Sequence, residues 1–370
     1  KSLVKKRKLF FLTHEFFPYL GGISTYVEET ATQASKDFSV TVWAPAHRSI
    51  REKKFPFQVQ ELPWKGTRLL KDYARLALKV NKEKEQLEGA IVCLPEIGGI
   101  LSYMLLGLFG MYPAQKLVLV LHGGEILKLS KGVFRKHFLQ LLDRADRIGV
   151  VSSYVESLLL SLAPFTKEKI RLVPGSFRSG TPTPIRRRRE EGVVRLLTVA
   201  RIHERKGQLE VLKALSKLPP SVLKRCSYTL VGPVVSRSYS RALEKWAGQH
   251  NLPVAFKKAL SEEELQDEYA QSDIFILASM TKKSSVEGLG LVFLEAALHH
   301  LPSIAYDSGG VKDAVTHEKT GLLVREGDLD ALSACIKRLI EKRELREFYG
   351  KNAFEACKRF SWEKNVSELF

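Results

Sequence analysis

The sequence predicts an α/β protein made of two doubly wound, Rossmann-like domains. Three observations predict this class. The 370 residues are enough for two domains. Short apolar runs alternate with helix-length stretches along nearly the whole chain, which is the pattern of strands and crossover helices in parallel sheets. The alternation stops over 175–192, where Gly, Pro, Ser, Thr and four consecutive arginines indicate a linker.

The first domain is predicted to span 1–175. The segment 117–121 contains only Leu and Val, as expected for a parallel strand that is buried on both faces. The strands are predicted at 9–14, 40–45, 57–62, 90–95, 116–122, 147–152 and 170–174, and the helices at 22–35, 67–88, 132–144 and 153–162.

The second domain is predicted over 193–355, after a linker at 176–192. The chain then continues as a helix from 343, the sequence Phe360-Ser361-Trp362 and a last amphipathic turn. The strands of this domain are predicted at 195–200, 227–232, 254–257, 274–279, 303–306 and 321–324, and the helices at 207–217, 237–250, 262–271, 290–299 and 328–341.

Composition excludes several classes of protein. Hydrophobic residues make up 44% of the chain, which is ordinary for a globular protein, and apolar runs reach about half the ~20 residues of a membrane-spanning helix. No secretory signal is expected, and four scattered cysteines indicate buried thiols in a reducing cytoplasm. The net charge of +18 predicts an anionic partner. It is concentrated in residues 1–180, with 28 Lys and Arg against 16 Asp and Glu, whereas 181–370 have 31 against 25.

Two glutamates eight positions apart carry the strongest chemical signal. Glu287 and Glu295 follow a predicted strand and a polar loop, and a helix is predicted to begin near Gly290. The free amides of Gly290, Leu291 and Val292 would bind phosphate oxygens with the help of the helix dipole. Glu295 would then accept a hydrogen bond from a ribose, and Glu287 from hydroxyls of the group that the phosphates carry. An acidic helix start stabilised by the dipole is the structural alternative.

A basic loop follows the first predicted strand of the same domain. Arg201 and Lys206 flank it, and Gly207 opens the next helix. An arginine fork and a lysine point charge suit a diphosphate, although a solvated basic loop is the simpler interpretation of the loop alone. Its position favours a site, because ligands of parallel sheets bind beyond the carboxyl ends of the strands.

Two candidates follow strands of the first domain. Gly21 and Gly22 begin a predicted helix and would permit close approach of a ligand to the backbone, although a tight turn explains them equally well. His122 ends a predicted strand and precedes two more glycines. A lone histidine is more often structural, but this one lies where a cleft residue is expected.

Other motifs are excluded or receive structural interpretations. Asp328 and Asp330 form an Asp-x-Asp pattern, but they open an amphipathic helix, so we predict a helix cap in place of a metal site. The pair His299 and His300 ends a helix, where the dipole favours a positive charge. The sequence contains no P-loop, no Gly-x-Ser-x-Gly elbow and no dinucleotide fingerprint after the first strand of either domain.

In this order and spacing, the motifs resemble the GT-B glycosyltransferases, and among them the retaining family 4, over essentially the whole chain. The Glu-x7-Glu signature matches Glu287 and Glu295, and the Arg-x4-Lys-Gly element matches Arg201 and Lys206. The Gly-Gly loop and His122 are also similar. The terminal Phe-Ser-Trp sequence resembles the point where such chains return to the first domain, so 356–370 are expected to cross back. A Gly-Ser pair at 175–176, in place of Asn-Gly, and the sequence 256–259 depart from the family pattern and leave the nucleotide base open.

The resemblance implies two domains that face a central cleft, with the acceptor bound by the first and a nucleotide diphosphate sugar by the second. A UDP-sugar is favoured and a GDP-sugar is the alternative. Arg201, Lys206 and the helix amides would neutralise the departing diphosphate, with no metal or other cofactor expected. Gly22 would approach the phosphates when the cleft closes, and His122 would contact the sugar or position the acceptor. The anomeric configuration would be retained by front-face attack.

Two other functions fit part of the pattern. One is a nucleotide-sugar epimerase of the same fold. The other is a basic nucleic-acid-binding protein, motivated by the net charge and the arginines at 186–189, although no nucleic-acid motif is present. The charge of the first domain, at 5–8 and along 68–84, suggests docking on anionic lipid, with a solvated helix face as the alternative. The expected protein is therefore cytoplasmic and peripheral on the inner membrane face, with a lipid-linked or envelope-polysaccharide acceptor and no nucleic-acid partner.

Overall fold

The computed structural model describes residues 6–19, 21–62, 70–180, 192–258 and 260–370. The chain divides into two compact units. The first comprises Lys1–Gly175 and Ser361–Phe370, and the second comprises Ser176–Phe360. The arginines at 186–189, and most of the predicted linker, lie outside the described residues. Both units contain a parallel sheet with crossover helices, which confirms the predicted α/β class.

The first unit contains a seven-stranded parallel sheet in the order β3-β2-β1-β4-β5-β6-β7. Every predicted strand of this unit is present, within a few residues of its expected ends. The direction of the strand order reverses between β1 and β4, so the loops after these two strands flank the position where doubly wound sheets bind ligands. The strands are β1 (Lys8–Leu12), β2 (Ser39–Pro45), β3 (Gln58–Leu62), β4 (Ile91–Leu94), β5 (Lys116–Leu121), β6 (Arg147–Val150) and β7 (Ile170–Leu172).

The helices of the first unit depart from the prediction in three ways, the first of which is that the short helices Arg48–Glu52 and Gly124–Leu129 were not predicted. The helix predicted over 67–88 is two helices that separate at Glu83, so that prediction is wrong. The buried helix Ile97–Gly107 was not predicted, because its sequence is apolar on all sides and shows no helical period. The helices are α1 (Gly22–Ala34), α2 (Arg48–Glu52), α3 (Leu70–Lys82), α4 (Lys84–Glu88), α5 (Ile97–Gly107), α6 (Gly124–Leu129), α7 (Phe134–Arg144) and α8 (Ser153–Leu162).

The second unit contains a six-stranded parallel sheet in the order β10-β9-β8-β11-β12-β13, which reverses between β8 and β11. All six predicted strands are present, and only the short α10 and α14 were not predicted. The strands are β8 (Val194–Val199), β9 (Cys226–Val231), β10 (Val254–Lys257), β11 (Ile274–Leu277), β12 (Ser303–Tyr306) and β13 (Gly321–Val324). The helices are α9 (Gln208–Ser216), α10 (Pro220–Leu223), α11 (Arg237–Gln249), α12 (Glu262–Gln271), α13 (Leu291–Leu298), α14 (Val311–Ala314), α15 (Leu329–Glu341) and α16 (Arg343–Cys357).

The last helix, α17 (Trp362–Leu369), belongs to the first unit. It packs against α1, where the ring centroids of Trp362 and Tyr26 are 5.3 Å apart with the rings edge to face. The described helices include none with the length and apolar composition needed to cross a bilayer.

Candidate active site

Two loops of the second unit meet at the position where its strand order reverses. The loop after β8 contains Arg201 and Lys206, and the loop after β11 contains Glu287 and leads to α13. Ser279 lies two residues beyond the end of β11, and its hydroxyl donates to Glu287 Oε2 at 2.9 Å. The structure thus brings together residues that lie about eighty positions apart in sequence, at the edge where parallel sheets bind ligands.

Glu287 is buried and accepts three hydrogen bonds on one carboxylate oxygen. Its Oε2 lies 2.7 Å from Lys206 Nζ, 3.2 Å from the Arg205 guanidinium and 2.9 Å from the Ser279 hydroxyl. Among the described residues all of these donors use Oε2, so Oε1 remains to accept a hydrogen bond from a ligand hydroxyl. A carboxylate held in this way is oriented before any ligand arrives.

The electrostatics around Glu287 favour an anionic ligand. Burial alone would raise the pKa of Glu287, but Lys206 and Arg205 outweigh burial and hold that pKa at about 2. Burial lowers the pKa of Lys206, and Arg205 and Arg201 lower it further, although Glu287 opposes them. Glu204, the acidic residue of the same loop, is exposed and accepts from the Ser236 hydroxyl. Immediately around Glu287, two cations therefore face one carboxylate, and phosphate oxygens would relieve this local excess of positive charge.

Glycines let the loops after β8 and β12 approach the loop after β11 closely. Gly207 has φ +66°, and a Cβ there would lie 1.9 Å from the carbonyl oxygen of Ala278, so only glycine fits. Gly309 has φ +57°, and a Cβ there would lie 2.3 Å from the carbonyl oxygen of Glu287. The amide of Gly310 donates to that same oxygen at 2.9 Å. The backbone around Glu287 is thus fixed from both sides.

Helix α13 contributes its N-terminus and Glu295 to this edge. Gly290 precedes the helix with φ +85° and has no side chain with which to cap it, so the amides of Leu291 and Val292 belong to a helix start whose N-cap residue leaves them available. Glu295 lies on the first turns of α13 and accepts from the Tyr269 hydroxyl at 2.9 Å. Burial raises the pKa of Tyr269, and the Glu295 carboxylate raises it further, so this hydroxyl stays a hydrogen-bond donor.

In the first unit, Gly22 opens α1 directly beside Gly21. A Cβ added to either glycine would meet no described heavy atom within 4 Å. The glycines are therefore not required by close packing against the rest of the described chain. Open space beside the helix start agrees with the predicted close approach of a ligand, which stays a prediction.

His122 follows β5 in the first unit and is held in one orientation. Its Nε2 lies 3.1 Å from the carbonyl oxygen of Pro95, which can only accept, so Nε2 carries the proton. The imidazole packs edge to face against Tyr26 at 5.2 Å. Burial lowers the pKa of His122, and the carboxylate of Glu125 offsets only part of this effect. The ring is therefore neutral at pH 7, with a lone pair on Nδ1.

Sequence reasoning missed three participants at these edges. Arg205 and Ser279 contact Glu287 directly, but both resembled ordinary loop residues in the sequence. Glu96 follows β4, is buried, and accepts from the amides of His14 at 2.9 Å and Gly98 at 2.7 Å. Burial raises the pKa of Glu96, but contacts with His14 and these amides outweigh burial and lower it. In the sequence, Glu96 could have been recognised as a polar residue that directly follows a short apolar run.

Two structural interpretations of rejected motifs can be checked. Asp328 caps α15, because its carboxylate accepts from the amide of Ala331 at 2.9 Å, as predicted. The described residues contain no group of three or more His, Cys, Asp or Glu placed to hold a metal ion. The prediction of a charged histidine at the end of α13 is wrong for His299. Burial lowers the pKa of His299 to about 4, and His300 adds to the effect. His299 bonds Gln266 at 2.7 Å and stacks on Tyr269.

Two parallel sheets with these strand orders, and an Arg-Lys loop facing a glutamate before a helix start, agree with the fold and the site that the resemblance to the GT-B glycosyltransferases implies. Two family matches cover most of the chain: Glycosyltransferase Family 4 over residues 20–176, and Glycosyl transferases group 1 over residues 185–356. The chain belongs to the group 1 glycosyltransferases, as its motifs predicted.

Individual relatives are more distant. The chain is 26% identical over 345 residues to a GDP-mannose-dependent alpha-(1-6)-phosphatidylinositol monomannoside mannosyltransferase of Mycolicibacterium smegmatis, with 89% of this chain and 88% of that protein covered. Its fold is similar to that of Anabaena HepE in complex with UDP-glucose, with a TM-score of 0.78, 19% identity and 98% of both chains covered. It is also similar to sucrose-phosphate synthase from Thermosynechococcus elongatus, with a TM-score of 0.78, 20% identity, and 98% of this chain and 97% of that chain covered.

Proposed function

We propose that this protein transfers a sugar from a nucleotide diphosphate sugar to a lipid-linked or cell-envelope glycan acceptor, with retention of the anomeric configuration. The observation that carries the proposal is the positively charged edge of the second unit, where Lys206 and Arg205 flank Glu287. Such an edge suits a leaving group that gains negative charge as the glycosidic bond breaks.

Each candidate site residue of the second unit has a role in this proposal. Arg201, Lys206 and the first amides of α13 bind the diphosphate and stabilise its developing charge. Glu295 accepts a hydrogen bond from the ribose. Oε1 of Glu287 accepts from a sugar hydroxyl near the reacting carbon, while Oε2 stays bound to Lys206, Arg205 and Ser279.

The residues of the first unit serve the acceptor and the sugar. His122 is neutral, and its Nδ1 lone pair accepts a hydrogen bond from a hydroxyl group, which orients that group without taking on a full charge. Gly22 leaves room at the start of α1 for a ligand to approach the backbone. No metal ion is assigned a role, because the cationic side chains supply the positive charge that the diphosphate requires.

For the donor, GDP-mannose is the first candidate, since the mycobacterial relative is a GDP-mannose-dependent enzyme. UDP-sugars are the second, because the sequence analysis favoured them and the similar Anabaena protein was solved with UDP-glucose. The relative acts on a phosphatidylinositol mannoside, which supports a glycolipid acceptor. Cytoplasmic location on the inner membrane face stays part of the proposal.

The test incubates the full chain with GDP-mannose, UDP-glucose or UDP-N-acetylglucosamine in the presence of EDTA, and follows the anomeric proton by NMR. In the absence of a glycan acceptor, water takes its place, so we expect slow hydrolysis that releases the nucleoside diphosphate and a first-formed free sugar of unchanged anomeric configuration. An inverted product would overturn retention, and activity that needs added Mg²⁺ would overturn metal independence. Conversion of the donor to its epimer, with no transfer, would identify an epimerase.

A further inference from the structure

The loop that joins α6 to α7, together with the first turn of α7, exposes apolar side chains within a basic sequence. Residues 131–136, Lys-Gly-Val-Phe-Arg-Lys, are all exposed, and we name this segment the basic-apolar tip. Val133 is 79% exposed and Phe134 is 44% exposed. Scattered apolar residues are ordinary on a protein surface, but two adjacent ones, with cations on both sides, form a combination that requires an explanation.

The charge around the tip has one sign. Lys131 precedes the apolar pair, Arg135 and Lys136 follow it, and the exposed Lys128 lies near the end of α6. The sequence contains no acidic residue between Glu125 and Asp143. Glu125 itself is buried, and its carboxylate accepts from the amide of His122. The tip is therefore complementary in charge to an anionic surface.

Two other surfaces of the first unit lack this combination. On α3, which the sequence analysis favoured for docking, Arg75 pairs with Asp72 at 3.4 Å and Lys79 pairs with Glu83. Part of that basic face is therefore neutralised. Leu108 and Phe109, after α5, are 55% and 76% exposed, but the sequence has no charged residue from 97 to 115. In the described part of α3 one large apolar side chain, Leu78, is exposed, so this helix presents cations but no adjacent apolar pair. The surface after α5 is apolar without cations.

We propose that the basic-apolar tip docks this protein on an anionic lipid bilayer. Val133 and Phe134 would enter the region between head groups and acyl chains. Lys131, Arg135 and Lys136 would bind lipid phosphates. Interfacial membrane anchors combine apolar and cationic side chains in this way. A protein partner would not require cations around a protruding apolar pair, whereas a bilayer attracts both kinds of side chain.

The tip lies close in the chain to His122, so docking there would place the bilayer near the proposed acceptor site. It follows the six-residue α6, which begins directly after Gly123 and spans about 9 Å. The bilayer would therefore lie roughly one short helix beyond His122, the residue proposed to orient the acceptor. This consequence rests on the proposed function, because it assumes a lipid-linked acceptor, whereas the docking itself does not depend on the transfer reaction.

The test measures cosedimentation of the full chain with vesicles of phosphatidylcholine alone, and with vesicles containing about one third phosphatidylglycerol. Wild type is expected to bind only the anionic vesicles at low salt. Val133→Ser/Phe134→Ser and Lys131→Gln/Arg135→Gln/Lys136→Gln should each weaken binding about tenfold or more. The matched control is Leu108→Ser/Phe109→Ser, an exposed apolar pair that follows the C-terminus of α5, whereas the tip lies at the N-terminus of α7. This variant should bind vesicles as wild type does.

Three outcomes would overturn the proposal. The wild-type protein fails to bind anionic vesicles, both tip variants bind them as tightly as the wild type does, or the control variant loses as much vesicle binding as the tip variants do. A loss in Lys71→Gln/Lys82→Gln with no loss in the tip variants would assign docking to α3. Binding of GDP-mannose or UDP, measured on every variant, shows that the chain is folded. A wild type that binds vesicles but no nucleotide would contradict the proposed function and leave the docking result intact.

Discussion

The two units share a topology but differ in the chemistry at the carboxyl ends of their strands. In the second unit, the two cations Arg205 and Lys206 face the single buried carboxylate of Glu287. In the first, the polar residues after β1, β4 and β5 include two histidines and two glutamates: His14, Glu96, His122 and Glu125. Glu96 is satisfied by backbone amides and His14, and Glu125 by the amide of His122.

The difference teaches that the fold fixes where a ligand binds, while a few loop residues decide which ligand. Strand-order reversal creates the same kind of edge in both units. Excess positive charge suits a diphosphate, whereas neutral and internally paired groups suit hydroxyls, which need orientation more than charge. The comparison therefore supports the proposal that the second unit binds the donor and the first unit binds the acceptor.

The largest effect is expected from Lys206→Ala. It removes the buried ammonium that faces Glu287 and is proposed to bind the diphosphate, so kcat/KM should fall about 100- to 1000-fold. The measurement is the steady-state rate of sugar transfer or donor hydrolysis. Lys213→Ala is the matched control, because Lys213 lies on the adjacent α9 and pairs with Glu210. Wild-type turnover in Lys206→Ala would contradict the site assignment.

Glu287→Gln should separate the two roles of that side chain. Loss of the negative charge leaves more positive charge at the edge, so the Kd for the nucleotide diphosphate should stay the same or decrease. Turnover should fall about 100-fold, because the sugar hydroxyl loses a charged acceptor. Calorimetry and rate measurements on the same preparation check both parts, and a weaker Kd with unchanged turnover would reverse the proposed roles.

His122→Gln should affect transfer without affecting donor-nucleotide binding. We expect turnover to fall about 10- to 100-fold, because the hydroxyl group loses its positioned acceptor. NMR of the imidazole should give a pKa below the ordinary value of 6.5, in the direction that burial imposes. A wild-type rate in the variant, or a raised pKa, would remove His122 from the account.

The last prediction concerns stability and its dependence on pH, and not turnover. The pKa of His299 is about 4 in the fold, against about 6.5 in an unfolded chain. Below pH 6.5 the unfolded state therefore binds more protons, and acidification to pH 4 should lower the free energy of unfolding by about 3 kcal/mol. His299→Phe should remove this contribution, as measured by urea unfolding at pH 7 and pH 4. An unchanged pH dependence in the variant would show that His299 titrates normally.

Most of the fold was predictable, because each buried parallel strand is a short apolar run and most helices have an amphipathic period. The failures have physical causes. Helix α5 is apolar on all sides, and the break between α3 and α4 at Glu83 leaves a nearly continuous helical pattern. The periodicity of apolar residues cannot reveal a helix such as α5, and it wrongly predicts one continuous helix over α3 and α4.

At the candidate site, the sequence predicted the residues that belong to recognisable motifs. It did not predict the other residues that contact them in the fold. Glu287 and Lys206 were predicted from separate loops, and their direct contact became visible only in the structure. Arg205 and Ser279 have no motif of their own, because their role depends on where Glu287 lies in three dimensions. His299 shows the converse error, since a helix terminus suggested a charge that burial removes.

The central claim is that the charged edge of the second unit binds the diphosphate, and the most direct test is calorimetric titration of GDP and UDP, in EDTA, into wild type, Lys206→Ala and His122→Gln. We predict that Lys206→Ala weakens nucleotide binding at least about tenfold, and that His122→Gln binds as wild type does. Equal binding by wild type and Lys206→Ala, or a loss confined to His122→Gln, would contradict the claim.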